Sequence, residues 1–258
     1  MSVLPGDSSF EQIRSSIFRV EAQWLGGSAT ATAFVVAMLR ESKKLVLATA
    51  KHVLDVPEDR DVLWAIQQFD EYGKVARQVS FGTNKARKGD VPYRTHNTLD
   101  VGIFVLPAVD DKKKALAAEG EFPVRTIDMR CGASTGTRVA WAGFPGIVEA
   151  ALGFPQLCYF EGVISAMVNR LDQRMYVVDG HAAHGVSGGP VWQWSNERDR
   201  LEVLGIVCNY QHFADGLPGF CFFEPINPVL DYLECEVWRP EKCGDSLVLN
   251  RQDVGRGA

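Results

Sequence analysis

The sequence predicts an all-β protein built from two modules. About a dozen short runs rich in β-branched and aromatic residues follow one another along the 258 residues, each bounded by Gly, Pro, Asn or Asp. Long helical patterns are few, so the runs favour a sandwich or a barrel. A charged stretch at residues 110–121 divides the runs into two sets of similar size. We therefore expect two β-modules, over residues 10–115 and 122–236, joined by a linker.

The strand pattern recurs throughout both modules. In the first module it covers residues 16–23, 29–38, 44–50, 62–69, 75–81 and 100–106. In the second module it covers residues 137–142, 157–165, 174–179, 190–194, 201–208 and 219–223.

A terminal helix is predicted after the last strand. Asn227 is a typical N-cap, and Pro228 suits the first helical position because the N–H it lacks would be unpaired there. Residues 9–14 carry a short, incomplete helical pattern. Residues 239–258 are polar with scattered glycines, which predicts a loosely packed tail.

Composition excludes several classes of protein. A net charge of -5 argues against nucleic-acid binding, and the basic cluster at residues 112–114 follows two aspartates, as in a solvated connector. No window approaches the ~18 apolar residues that span a bilayer. The first residues lack the pattern of a signal peptide, and the six cysteines form no CxxC pair. We expect a cytoplasmic protein with reduced thiols that binds neither nucleic acid nor membrane.

The stretch DGHAAHGVSGGPVW, residues 179–192, contains a serine flanked by glycines, Ser187. A serine hydroxyl becomes a nucleophile only beside a base. His52 ends a β-run in the motif TAKH, and Asp100 precedes the apolar run in LDVGIFVL. The residues alone leave the structural alternatives open: a glycine-rich turn, a histidine at a strand end, and an aspartate that caps a turn.

The order of these motifs resembles the chymotrypsin-fold (trypsin-like) serine proteases, in the style of the bacterial HtrA-like branch. The resemblance covers about residues 16–233 and includes GTRVAWAGFPG, FEGVISA, GIVC and PGF in the second module. It implies two antiparallel six-stranded β-barrels followed by a C-terminal helix, with the active site in the cleft between them. No PDZ domain is expected in a chain of 258 residues.

Carried over to this sequence, the resemblance implies a catalytic triad. His52 would be the general base, Asp100 its orienting partner and Ser187 the nucleophile, with the N–H groups of Gly185 and Ser187 forming the oxyanion hole. The implied substrate-binding residues are His181, Ala182, Val207, Cys208, Asn209, Tyr210 and Gly219. The implied activity is that of a serine endopeptidase acting on polypeptides through an acyl-enzyme, without metal or organic cofactor.

This chain departs from the trypsin pattern at several positions. Val186 stands where trypsin-type enzymes carry the aspartate of their activation switch, and Val53 follows His52 where they carry a disulfide cysteine. His181 replaces an acidic pocket base, and Tyr210 replaces a common glycine, which predicts a pocket for small or medium apolar side chains. Without the switch, substrate or a regulatory protein partner would order the oxyanion turn.

Three alternatives remain beside the protease. The segment from Gly185 to Gly189 also fits the G-x-S-x-G elbow of α/β-hydrolases, which needs a helix after the serine. His181 and His184, with Cys208 or Cys221, could hold a metal ion. A catalytically silent or latent double barrel could serve as a protein-binding scaffold.

Overall fold

The computed structural model describes residues 6–39, 43–57, 60–70, 72–83, 92–116, 125–126, 133–170, 173–195, 200–211, 220–234 and 247–248. Within these ranges the chain forms fifteen strands and four helices. In chain order they are α1 Gly6–Arg14, β1 Ile17–Trp24, β2 Gly27–Leu39, β3 Lys44–Thr49, α2 Lys51–Leu54, β4 Val62–Phe69, β5 Val75–Thr83, β6 Tyr93–Thr95, β7 Gly102–Pro107, β8 Arg125–Thr126, β9 Arg138–Gly143, α3 Gly146–Leu152, β10 Cys158–Arg170, β11 Gln173–Asp179, β12 Pro190–Ser195, β13 Arg200–Gln211, β14 Phe220–Pro225, α4 Asn227–Glu234 and β15 Leu247–Val248.

The first module is a curled antiparallel sheet. Its strand order is β5-β4-β1-β2-β3-β7-β6, and β15 pairs with β2 beside this path. Among the described residues, no ladder joins the two end strands, β5 and β6, so the sheet forms a half-barrel. The expected barrel is therefore open in this module.

The second module closes completely. The strand order β12-β9-β10-β11-β14-β13 returns to β12 through the β12–β13 pairing, which makes a six-stranded antiparallel barrel. Closure leaves no free strand edge within these six strands. The short strand β8 pairs in parallel with β13 outside the barrel.

Apolar side chains fill one core inside the first module and a second core that crosses to the other module. The first core centres on Trp64, whose ring packs against Phe81 and Phe104. The second is continuous from Phe34 and Ile103 of the first module to side chains of the second module such as Trp141, Val186 and Ile206. Burial of each large apolar side chain contributes about 1.5–3 kcal/mol, so this shared core fixes how the two modules meet.

The strands predicted from the sequence all occur, and the all-β fold class is confirmed. The terminal helix also occurs, but it begins at Asn227 itself, and the carbonyl oxygen of Ile226 accepts its first bonds from the N–H groups of Val229 and Leu230. Within the predicted polar tail, Leu247–Val248 add a short strand to the first sheet, while residues 239–246 and 249–258 lie outside the described ranges. None of the described helices is long and apolar enough to cross a membrane.

Candidate active site

His52 lies on α2, a single helical turn that follows β3 directly. Val53 and Leu54, the next two residues, are buried at 6% and 3% exposure and hold this turn against the core of the first module. The side chain of His52, in contrast, remains 48% exposed. The local sequence thus places an accessible histidine at the end of a buried strand.

Asp100 meets His52 because β3 pairs with β7, which starts two residues after Asp100. The register places Thr49 opposite Gly102. One carboxylate oxygen of Asp100 accepts the main-chain N–H of His52 at 2.8 Å, and the other lies 2.7 Å from His52 Nδ1. Two bonds to one carboxylate fix both the main chain and the ring of the histidine.

This contact determines the proton state of the imidazole. The hydrogen bond to Asp100 raises the pKa of His52 above its ordinary value, against the opposing effect of partial burial. In the neutral form, Nδ1–H donates to the carboxylate and Nε2 carries the lone pair. Nε2 has no hydrogen-bond partner within the described part of the chain, so it is available as a base.

The Ser187 turn, residues 183–189, carries the third residue. Its backbone is held by bonds from Val186 N–H to Ala183 O, from Gly188 N–H to Val207 O and from Gly189 N–H to Val186 O, at 3.1, 2.7 and 2.9 Å. Ser187 itself is half-buried. The strand β12 follows the turn, so the serine is not on the strand–helix elbow that an α/β-hydrolase requires.

Gly188 explains how the Ser187 turn comes close to His52. Its φ is +87°, and an added Cβ would lie 2.0 Å from Thr32 O and 3.0 Å from Ala50 N. Ala50 is two residues before His52 on the same short connection. Only glycine permits this approach, which places Ser187 beside the segment that carries the histidine.

Gly185 places free N–H donors next to Ser187. Its φ is +97°, and an added Cβ would lie 2.2 Å from Phe144 O, so no other residue fits. Among the described residues, the N–H groups of Gly185 and Ser187 have no acceptor. Two such donors in one tight turn can stabilise a developing negative charge.

The predicted pocket residues that the structure describes lie in two places, just before the Ser187 turn and on β13. His181 is exposed and Ala182 is buried, and the carbonyl oxygen of His181 accepts the indole N–H of Trp141 at 3.2 Å. Val207 and Asn209 lie on β13, where Val207 N–H donates to Gly189 O at 2.9 Å and Asn209 is exposed.

The remaining pocket residues are only partly described. Tyr210 lies on β13, its side chain being outside the described set, and Gly219 also lies outside it.

The Cys208 side chain is buried at a bulge in β13. It lies at a bulge between Val207 and Asn209, is 4% exposed, and its thiol donates to Phe222 O at 3.4 Å. Burial, with nearby Glu224 and Asp100, raises the pKa of this thiol well above its ordinary value. Its side chain therefore packs behind the strand as an unreactive thiol.

The alternative metal site has no support in the described residues. They contain no group of three or more His, Cys, Asp or Glu side chains that could hold a metal ion. Burial raises the pKa of the Cys221 thiol to about 12, so this side chain is a neutral thiol near neutral pH.

Two features of the site were not foreseen from the sequence. Thr32, on β2, donates its N–H to Ser187 O at 2.8 Å and its hydroxyl to Gly185 O at 2.7 Å. The helix α3 contacts the same turn through a bond from Gly146 N–H to His184 O at 2.8 Å. No motif marks Thr32, and the motif GTRVAWAGFPG, which ends at Gly146, does not indicate the bond to His184, since both contacts join distant parts of the chain.

A family model described as a trypsin-like peptidase domain matches residues 31–206, more than half of the chain. The matched range includes His52, Asp100 and Ser187. No curated protein sequence matches this chain.

Several solved structures share the fold. A thermostable serine protease from an extremophilic microorganism is 17% identical, with a TM-score of 0.52 over 82% of this chain and 91% of that one. The HtrA-type protease AlgW with a decapeptide is 14% identical, with a TM-score of 0.56 over 89% of this chain and 66% of that one. The tobacco etch virus protease complexed with product is 10% identical, with a TM-score of 0.56 over 95% of this chain and 86% of that one.

At these sequence identities the solved structures show only the fold of this chain. The family model shows the family to which the chain belongs. The expected resemblance to chymotrypsin-fold serine proteases, the HtrA type included, is confirmed, and family and fold together support a protease. By sequence and by architecture, the chain belongs to the family of trypsin-like peptidase domains.

Proposed function

We propose that this protein is a serine endopeptidase in which Ser187, His52 and Asp100 form the catalytic triad. The observation that carries the proposal is the pair of hydrogen bonds from His52 to Asp100, at 2.8 and 2.7 Å, beside the Ser187 turn. This arrangement leaves Nε2 of a neutral imidazole free to act as a base.

The proposed reaction proceeds through an acyl-enzyme. Ser187 Oγ attacks the carbonyl carbon of a peptide bond as His52 Nε2 takes its proton, and the carbonyl electron pair moves to oxygen. The N–H groups of Gly185 and Ser187 stabilise this oxyanion. The C–N bond then breaks, the leaving amine takes the proton from His52, and Ser187 is left as an ester. Water then attacks the ester carbon as His52 takes its proton, the bond between that carbon and Ser187 Oγ breaks, and Ser187 Oγ takes the proton back from His52 as the acid leaves.

The substrate we propose is a polypeptide, and the reaction needs no metal or organic cofactor. The primary pocket would lie beside His181 and Ala182, with Tyr210 narrowing it, so small or medium apolar side chains are the expected preference. A cytoplasmic location and a regulatory protein partner stay predictions from the sequence, as do the boundaries of the two modules.

Labelling with a fluorophosphonate probe tests the proposal directly. We expect the wild type to be labelled and Ser187→Ala to be unlabelled, because the probe bonds to an activated serine oxygen. Ser165→Ala is the matched control, since Ser165 is an exposed serine on β10 and is not part of the Ser187 turn. On a cleaved peptide, Ser187→Ala and His52→Ala should each lower kcat on the order of 10⁶-fold.

A folded wild type that the probe leaves unlabelled, while a known serine protease reacts, contradicts the activity. It would favour the catalytically silent scaffold instead. Labelling that persists in Ser187→Ala contradicts the assignment of the nucleophile. A peptide-library cleavage profile of the active protein would then test the predicted pocket preference.

A further inference from the structure

Thr32, a residue of the first module, makes two hydrogen bonds to the Ser187 turn of the second module. It is fully buried on β2. Its hydroxyl donates to Gly185 O at 2.7 Å and accepts the N–H of Phe144 at 3.1 Å. Its main-chain N–H donates to Ser187 O at 2.8 Å. One residue of the first module therefore holds the carbonyl groups on both sides of Val186.

The sheet leaves Thr32 free to make these bonds. On one side, β2 pairs with β1, where Arg19 lies opposite Thr32. On the other side, the pairing with β3 begins only at Phe34, opposite Ala48. The main-chain groups of Thr32 on that side would be unpaired, and a buried unpaired group is costly. The Ser187 carbonyl satisfies the N–H, and the Thr49 hydroxyl satisfies Thr32 O at 2.8 Å.

The surrounding glycines show how closely the turn packs on Thr32. A Cβ on Gly143 would lie 2.7 Å from Thr32 Oγ1 and 2.8 Å from Val186 Cα. A Cβ on Gly188 would lie 2.0 Å from Thr32 O. There is no room for the turn to shift toward Thr32, and the bonds of Thr32 prevent it from moving away.

We propose that Thr32 is a positioning residue for the reaction, acting across the module boundary on the proposed oxyanion hole. Its hydroxyl holds Gly185 in the left-handed conformation by fixing the Gly185 carbonyl, and its N–H fixes the Ser187 carbonyl. The N–H groups of the same two residues then face the space where the oxyanion forms. Because Val186 excludes the aspartate switch of trypsin, Thr32 supplies a constitutive tether in its place. This inference rests on the proposed function.

The experiment compares variants that differ only in the hydroxyl. Thr32→Val keeps the shape of the side chain and removes its hydrogen bonds, while Thr32→Ser keeps the hydroxyl. Ser16→Ala is the matched control, because the buried Ser16 hydroxyl has no partner within the described residues. Each variant is measured as the full chain for kcat, KM and thermal stability.

We expect Thr32→Val to lower kcat about 10- to 100-fold with little change in KM, since misplacing a catalytic group by about 1 Å costs this much. Thr32→Ser should restore most of kcat, and Ser16→Ala should match the wild type. If Thr32→Val does not fold, Thr32→Ala replaces it as the variant without the hydroxyl. Unchanged kcat in the hydroxyl-free variant overturns the inference, as does an equal loss in Thr32→Ser.

Hydrogen exchange separates this inference from the proposed function. The amides of Val186, Gly188 and Gly189 are hydrogen-bonded and report the order of the turn. They should exchange faster in Thr32→Val than in wild type or Thr32→Ser, whether or not the protein cleaves peptides. Unchanged exchange overturns the role of Thr32 in holding the turn. If the wild type is not labelled by the probe but these amides exchange faster in Thr32→Val, the proposed enzyme activity is wrong. The role of Thr32 in holding the Ser187 turn would then still stand.

Discussion

His52 and Asp100 share two hydrogen bonds, and this pair determines the pH at which the proposed base is usable. The bond to the carboxylate is the largest cause of the raised pKa of His52. Only the neutral imidazole accepts a proton from Ser187, so activity should rise with pH as His52 loses its proton. We expect the acid limb of kcat/KM to lie above the ordinary histidine value of about 6.5.

Replacing Asp100 by Asn tests this assignment. Without the carboxylate, the pKa of His52 should fall, so the acid limb should move to lower pH. The plateau of kcat should fall about 10⁴-fold, because the amide favours the wrong tautomer of the imidazole. Asp55→Asn is the control. Asp55 is the smallest of the causes that raise the pKa of His52, so the acid limb should move little and kcat should stay near its wild-type value. An acid limb that stays in place in Asp100→Asn would contradict the pairing.

Helix α3 is held in place mainly by an ion pair, and little by burial of its own side chains. None of its residues is buried. Arg19 of β1 is only 5% exposed, and its Nη2 donates to both carboxylate oxygens of Glu149 on α3 at 3.0 Å. Its Nη1 donates to Glu21 at 2.6 Å and to Gln67 at 3.1 Å. An ion pair in which one nitrogen of a buried guanidinium contacts both oxygens of a half-buried carboxylate therefore links the helix to the first module.

Glu149→Ala should loosen α3 selectively. We expect a loss of stability between the ~0–1 kcal/mol of an exposed pair and the ~3–5 kcal/mol of a fully buried one, because Arg19 keeps Glu21 as a partner. Exchange of the α3 amides should increase more than that of the strands. Glu11→Ala is the matched control, as the Glu11–Arg14 pair at 3.2 Å is exposed and stays within α1. Equal exchange in the two variants would show that packing, and not the ion pair, holds α3.

The strands of this chain can be predicted from the sequence, while the contacts between residues far apart in the chain cannot. Alternation of apolar residues marks a strand such as β4, whose exposure alternates along Val62–Phe69. The glycines around Ser187 were also readable, since their backbone requirement is local. The contact of Thr32 with Gly185 spans 153 positions, and nothing in the sequence near Thr32 signals it. Likewise, α3 has no apolar face turned to a core, so no periodicity predicts it.

Across the whole molecule, the shared core should make the two modules unfold together. Ser187 belongs to the closed barrel and His52 to the half-barrel, so the proposed site exists only while both are folded against each other. Among the described residues, the end strands of the half-barrel form no ladder with each other, and the half-barrel gains stability from the barrel through Phe34, Val46 and Ile103. A substitution that destabilises one module should therefore also destabilise the other.

Phe104→Ala tests this coupling. Phe104 is fully buried in the core that lies inside the first module only, so its truncation should cost about 3–5 kcal/mol there. In a cooperative molecule, hydrogen exchange of the slowest amides of β9 and β10 in the second module should accelerate by the same free energy as those of β1 and β2. Met167→Ala, a truncation at a side chain 44% exposed on β10, is the control and should leave both modules protected. If only the first module loses protection, the barrel folds alone, and the contact between the modules is lost before the barrel that carries Ser187 unfolds.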